Sequence, residues 1–188
     1  TMSRSKIAAL ARNIAAAAGI ALLSGTVSAA ADLPAFPGAQ GWAAETPGGR
    51  GGQILRVTTL SPSGPGSFGA AVDPPGPRII VFEVGGVIDL GGQTIRIAEP
   101  YLTIAGQTAP SPGITFSRGG FDSVTHDVVV QHVRVRPGEA GFPKHSGHDF
   151  DAISAIVGRD VIVDHCSLTW APDENLSASG PRFTGGNP

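Results

Sequence analysis

The chain has 188 residues, with 13 basic against 15 acidic side chains and a formal net charge of −2. A balance so near neutral excludes the basic footprint of a nucleic-acid binder. A single cysteine, Cys166, excludes an internal disulfide, so packing, hydrogen bonds or bound metal must supply the stability.

Residues 1–30 read as a secretory signal peptide. A basic start, Met2-Ser3-Arg4-Ser5-Lys6, leads into an apolar, Ala-rich run from Ile14 to Val27. Ser28-Ala29-Ala30-Ala31 then offers the small residues that signal peptidase requires. The apolar run is short of the roughly 20 residues that a membrane span needs. The expectation is export to the extracellular space or periplasm, no membrane contact after cleavage, and one domain over residues 31–188.

Beyond the signal peptide, 27 glycines and 16 prolines in the whole chain set the tone, and no window holds a sustained helical apolar period. Short β-branched runs recur instead, at residues 79–82, 94–97, 102–104, 114–116, 128–130, 133–135 and 161–163. Gly, Pro, Asn or Asp separates most of them, which predicts an all-β fold of short strands. Ser67-Phe68-Gly69-Ala70-Ala71-Val72 is the exception: Ser67 suits an N-cap, and Phe68, Ala71 and Val72 share a face. It predicts a short helix over the first coil, stopped by Pro74 and Pro75.

Three segments look alike, beginning at Tyr101, Asp127 and Asp160. Similar strands with unequal loops between them predict the coils of a parallel β-helix. A β-sandwich would need hairpin turns such as Asn-Gly or Asp-Gly, and the sequence contains neither.

The densest acidic grouping lies near the end. Asp149 and Asp151 are two apart, so on an extended segment both carboxylates leave the same face, about 7 Å apart. Asp173 and Glu174 follow one strand later. Adjacent coils lie about 4.8 Å apart, so acids on neighbouring coils are able to share one ion. Oxygen ligands on rigid strands suit Ca²⁺ before Zn²⁺. His145 and His148 lack the helix and cysteine partner of a zinc pair and are expected in a loop flanking the cleft. Cys166 is expected to point into the coil stack, and Arg134 and Arg136 to share an outward face.

Phe36-Pro37-Gly38-Ala39-Gln40-Gly41-Trp42, followed by Thr46-Pro47-Gly48-Gly49-Arg50-Gly51-Gly52, resembles the opening of bacterial pectate lyases of polysaccharide lyase family 1. Gly76-Pro77-Arg78-Ile79-Ile80-Val81-Phe82, Leu102-Thr103-Ile104-Ala105-Gly106-Gln107-Thr108-Ala109-Pro110 and Val163-Asp164-His165-Cys166-Ser167-Leu168-Thr169-Trp170 continue the resemblance in order, to about Leu176. It implies a right-handed parallel β-helix that binds Ca²⁺ and cleaves polygalacturonate by β-elimination, a monomer when complete. By the same resemblance Asp149 and Asp151 match the paired aspartates of the calcium site. Asp173 or Glu174 matches the acid from the next coil. Asp164 and His165 match a structural pair of the β-helix wall.

The sequence departs from that pattern after Glu174. The family carries its catalytic arginine on later coils, and Arg182, the one arginine beyond the acidic cluster, is not in a matching setting. Residues 177–188 hold no β-branched run and do not read as a further coil. The expectation is therefore a β-helix incomplete at its C-terminal end, inactive by itself and prone to aggregate. The alternative is a non-catalytic secreted β-helix that binds calcium and acidic polysaccharide.

Overall fold

The computed structural model describes residues 33–143, 146 and 149–180. The expected signal peptide, His145, His148 and Arg182 lie outside the described residues. The strands are β1 (Gln53–Val57), β2 (Arg78–Phe82), β3 (Gly86–Asp89), β4 (Ile95–Ile97), β5 (Leu102–Ala105), β6 (Ile114–Ser117) and β7 (Phe121–Ser123). Then come β8 (His126–Gln131), β9 (Val133–Arg136), β10 (Ile153–Ile156), β11 (Arg159–Asp164), β12 (Ser167–Leu168) and β13 (Leu176–Ser179). The helix α1 spans Phe68–Val72.

Every strand pairing is parallel; β1 pairs with β2, and from β2 to β10 each strand pairs with the strand three places on. Three sheets result, in the orders β1-β2-β5-β8-β11, β12-β9-β6-β3 and β13-β10-β7-β4. Chain that visits three sheets in rotation, always in the same direction, is a parallel β-helix, and the sandwich is excluded. The seven β-branched runs fall on β2, β4, β5, β6, β8, β9 and β11.

Alternation builds the core. In β2, Arg78, Ile80 and Phe82 point inward, and their registered partners stack coil upon coil: Ile80 on Ile104, Ile104 on Val130, Val130 on Val163. In the second sheet the column is Ile88, Phe116, Val135 and Leu168. The first coils are fully closed, whereas Val161, Val163 and Leu168 of the last described coil are only half-buried.

The helix forms where the sequence placed it. Ser67 Oγ accepts the Ala70 N–H at 3.1 Å, satisfying one of the first-turn donors. Phe68 enters the end of the core, 4.6 Å from Phe116 and 5.4 Å from Phe121 between ring centroids.

The corners explain the three similar segments. Their first residues, Tyr101, Asp127 and Asp160, all adopt left-handed backbone, with φ of 61°, 57° and 55°. The repeat is thus a repeated bend as well as a repeated strand.

Two features depart from the sequence reading. Residues 177–179 lie in a strand: β13 pairs with β10 from Ile153↔Leu176 to Ile156↔Ser179, although it holds no β-branched residue. Register with an existing strand outweighs its weak intrinsic preference. Val129 faces outward yet is buried, because residues 46–49 cross the outer face of the first sheet. Thr46 Oγ1 donates to Asp127 at 2.7 Å, and Gly49 N–H donates to Thr103 at 2.9 Å. The approach requires glycine: a Cβ on Gly49 would stand 1.8 Å from the Arg78 carbonyl oxygen.

Candidate metal centre

Asp151 lies two residues before β10, in a segment stitched to the coil on either side. Phe121 N–H donates to the Ala152 carbonyl at 3.0 Å, and Ala152 N–H donates to the Glu174 carbonyl at 3.0 Å. Phe150 and Ala152 are buried, so the alternation turns Asp149 and Asp151 the other way. The segment is not itself a strand, since β10 begins at Ile153.

The Asp151 carboxylate is held at both oxygens. Oδ1 accepts the Glu174 N–H at 3.1 Å, and Oδ2 accepts the Ser177 hydroxyl at 2.5 Å. Ser177 in turn contacts Ser154 at 2.8 Å. These bonds fix Asp151 beside the turn that carries Asp173 and Glu174. One carboxylate oxygen from each of the three lies within 4.8 Å of the others.

Three carboxylates so close repel one another. Hydrogen bonding to Asp151, and then to Asp173, pushes the Glu174 carboxyl above its usual range. An all-oxygen set with excess negative charge fits a hard divalent cation such as Ca²⁺, which would relieve the repulsion. The donor set therefore passes the chemical test for that ion.

Asp149 lines the same groove, of about 300 Å³, together with Thr94, Asp122, Ser154 and Asp173. It is not one of the three mutually close carboxylates. Both Asp173 and Glu174 are. Asp122 is the residue that sequence reasoning missed. It stands in register with Arg96 on one side and Ser154 on the other. Burial, then the Asp151 charge, pushes its carboxyl up, while Arg96 pulls it down. Only the stacking of coils brings it to the groove; nothing in Phe121-Asp122-Ser123 alone marks it.

A larger groove, about 450 Å³, runs along β11 beside the exposed Trp42. Its walls are chiefly apolar and main-chain groups and lack a ligating cluster, so the chemistry belongs to the smaller groove.

The remaining sequence candidates take supporting places. Cys166 is partly buried, with Sγ 3.3 Å from the Asp164 carbonyl, and burial pushes its thiol up. It is a poor nucleophile there. Arg134 binds Thr115 and the Pro112 carbonyl. Arg136 binds Ser167 and lies over the exposed Trp170 ring at 5.8 Å. Asp164 accepts from Gln131 at 3.0 Å and from His165 at 2.8 Å, bonds that hold its carboxyl below the usual range.

No family model matches the chain. Proteins named probable pectate lyase C do: those of Aspergillus flavus and Aspergillus oryzae are each 42% identical over 134 residues, and that of Emericella nidulans is 43% identical over the same length. The match covers 71% of this chain and 30% of each of those proteins. The chain thus spans about a third of the length of the curated relatives it matches. Its parallel β-helix and its sequence together relate it to the pectate lyases.

Proposed function

We propose that this chain carries the calcium-binding coils of a secreted pectate lyase that cleaves (1,4)-α-D-galacturonan by β-elimination. The observation that carries the reading is the meeting of Asp151 with Asp173 and Glu174 across two coils, in a chain related to pectate lyases. Bound there, Ca²⁺ would supply positive charge to a galacturonate carboxylate, making the C5 proton easier to remove.

The chain's own residues prepare that site. Ser177 and the Glu174 N–H orient Asp151 so that it need not be reorganised on binding. Asp149 and Asp122 add negative potential to the same groove, raising the local concentration of cations. On this reading no described residue supplies the base that removes the C5 proton, Arg182 is not in the setting of the family's catalytic arginine, and residues 31–188 are expected to bind calcium and galacturonan without cleaving it.

The test uses purified residues 31–188 with polygalacturonate, with and without Ca²⁺ or EDTA. Unsaturated uronate is read by ultraviolet absorbance and calcium binding by calorimetry. The expected result is calcium binding that is lost in Asp151→Asn, without unsaturated product. EDTA-sensitive product would show that the base is present in these residues. Calcium binding unchanged in Asp151→Asn would overturn the assignment of the metal centre.

A further inference from the structure

A second group of ligating side chains lies at a different corner of the β-helix, between the first and second sheets. His132 is the single residue between β8 and β9, and it turns the chain with a φ of 54°. One coil on, His165 follows β11 and repeats the bend with a φ of 51°. The residues just before them, Gln131 and Asp164, are registered partners. The two imidazoles therefore leave equivalent bends on adjacent coils. Their ring centroids are 4.8 Å apart and their planes differ by 20°. That separation is the spacing between neighbouring strands, so register alone dictates it.

Asp164 adds what a bare histidine stack would lack. Its Oδ2 accepts from His165 Nδ1 at 2.8 Å, and Gln131 Nε2 holds the same oxygen at 3.0 Å. With the proton on Nδ1, the His165 Nε2 lone pair is free to bind. A carboxylate behind the imidazole is the usual way a metal-ligating histidine is oriented. One ligand atom each from His132, Asp164 and His165 lies within 4.8 Å of the others. The His165 side chain is 68% exposed, leaving room for water to complete a coordination shell. Cys166 takes no part, since its thiol is turned toward the Val130 and Asp164 carbonyls.

We propose that His132 and His165, with Asp164, form a second metal site that takes a borderline divalent ion such as Zn²⁺ and clips the two coils together. Imidazole donors select such ions over Ca²⁺, and the oxygen-only cluster at the other corner does the reverse. The two centres therefore differ in ion as well as in place.

The test is calorimetric titration of the full chain with Zn²⁺ under saturating Ca²⁺, which keeps the carboxylate cluster occupied. Wild type is compared with His132→Gln, His165→Gln and a His145→Gln/His148→Gln control. The expected result is one Zn²⁺ site, weakened at least ~10-fold by either of the first two changes and untouched by the control. Absence of Zn²⁺ binding in wild type, or an affinity in His132→Gln or His165→Gln equal to that of wild type, overturns the proposal. Should those variants fold poorly, wild type is read directly. Zn²⁺ must protect His132 and His165 from carbethoxylation, mapped by mass spectrometry, and equal labelling with and without Zn²⁺ refutes the site.

Discussion

Among the described residues Arg78 is the largest fully buried side chain, 1% exposed, and its replacement tests how the closed end of the β-helix is held. Its Nε and Nη2 donate to the Val72 carbonyl at 3.2 and 2.7 Å, tying down the end of α1. Nη1 donates to Gly76 and Pro100 carbonyls, and Nη2 also reaches that of Glu99. Burial pushes the guanidinium below the usual arginine range, with Glu99 and then Asp73 opposing it. No carboxylate is within ion-pair distance among the described residues, so main-chain carbonyls alone satisfy the charge.

Arg78→Met keeps the stem and removes every donor. The two wholly buried bonds to Val72 are worth ~1.5–3 kcal/mol each as charged hydrogen bonds. The other three carbonyls are partly exposed, and water is able to replace the lost donors there. Against this, methionine avoids burying a charge, which recovers part of the loss. The expected net destabilisation is ~2–4 kcal/mol, a large share of the ~5–15 kcal/mol that holds a typical domain together. Arg78→Lys, with three donors and no planar fork, should fall between wild type and Met. Urea unfolding followed by far-ultraviolet circular dichroism measures both. A methionine variant as stable as wild type would show that desolvation outweighs the carbonyl bonds, and the reasoning would be wrong.

Phe68→Ala empties the plug that α1 inserts among Phe82, Phe116 and Phe121, and should cost ~3–5 kcal/mol in the same unfolding experiment. Gly49→Ala forces a methyl into the Arg78 carbonyl and should destabilise by ~1–3 kcal/mol or more; a neutral thermal shift would refute the close crossing. The stability of the calcium-free protein should fall on either side of the ordinary carboxylate range. Asp122 and Glu174 have raised carboxyls, so their contribution is full below the ordinary carboxylate range and is lost as pH climbs through their folded values. Asp89 and Asp164 act oppositely: their contribution is present above the ordinary range and is lost as pH falls through their depressed values. Asp122→Asn or Glu174→Gln should flatten the decline with rising pH, and Asp164→Asn should flatten the loss on acidification. Thermal midpoints measured across the acidic range decide both, and unchanged profiles would refute the assignments.

What the sequence determined by itself was the local part of the problem. β-branched runs placed seven strands because alternating apolar side chains leave extended backbone few other ways to bury them. Ser67 announced α1 because an N-cap is a local hydrogen bond. Similar segments beginning at Tyr101, Asp127 and Asp160 announced the coil, and Asp149, Asp151, Asp173 and Glu174 were named as acids able to share an ion, of which the last three lie close together.

Only the tertiary structure decided what depends on register between coils. Asp122 reaches the acidic groove through its pairing with Ser154, across a loop that no local pattern measures. Asp173 and Glu174 both join Asp151 because the Glu174 N–H docks on that carboxylate. Residues 176–179 become a strand because β10 offers an edge, not because their side chains favour one. Val129 is buried from outside by the crossing at Gly48 and Gly49, and Arg78 is held from within by bonds to the carbonyls of Val72 and Gly76 and to those of Glu99 and Pro100 a coil away. The stacking of His132 on His165 follows the same rule. Composition and periodicity report what a residue prefers, whereas a parallel solenoid sets neighbours a whole coil apart in sequence, and the lengths of the intervening loops decide which residues meet.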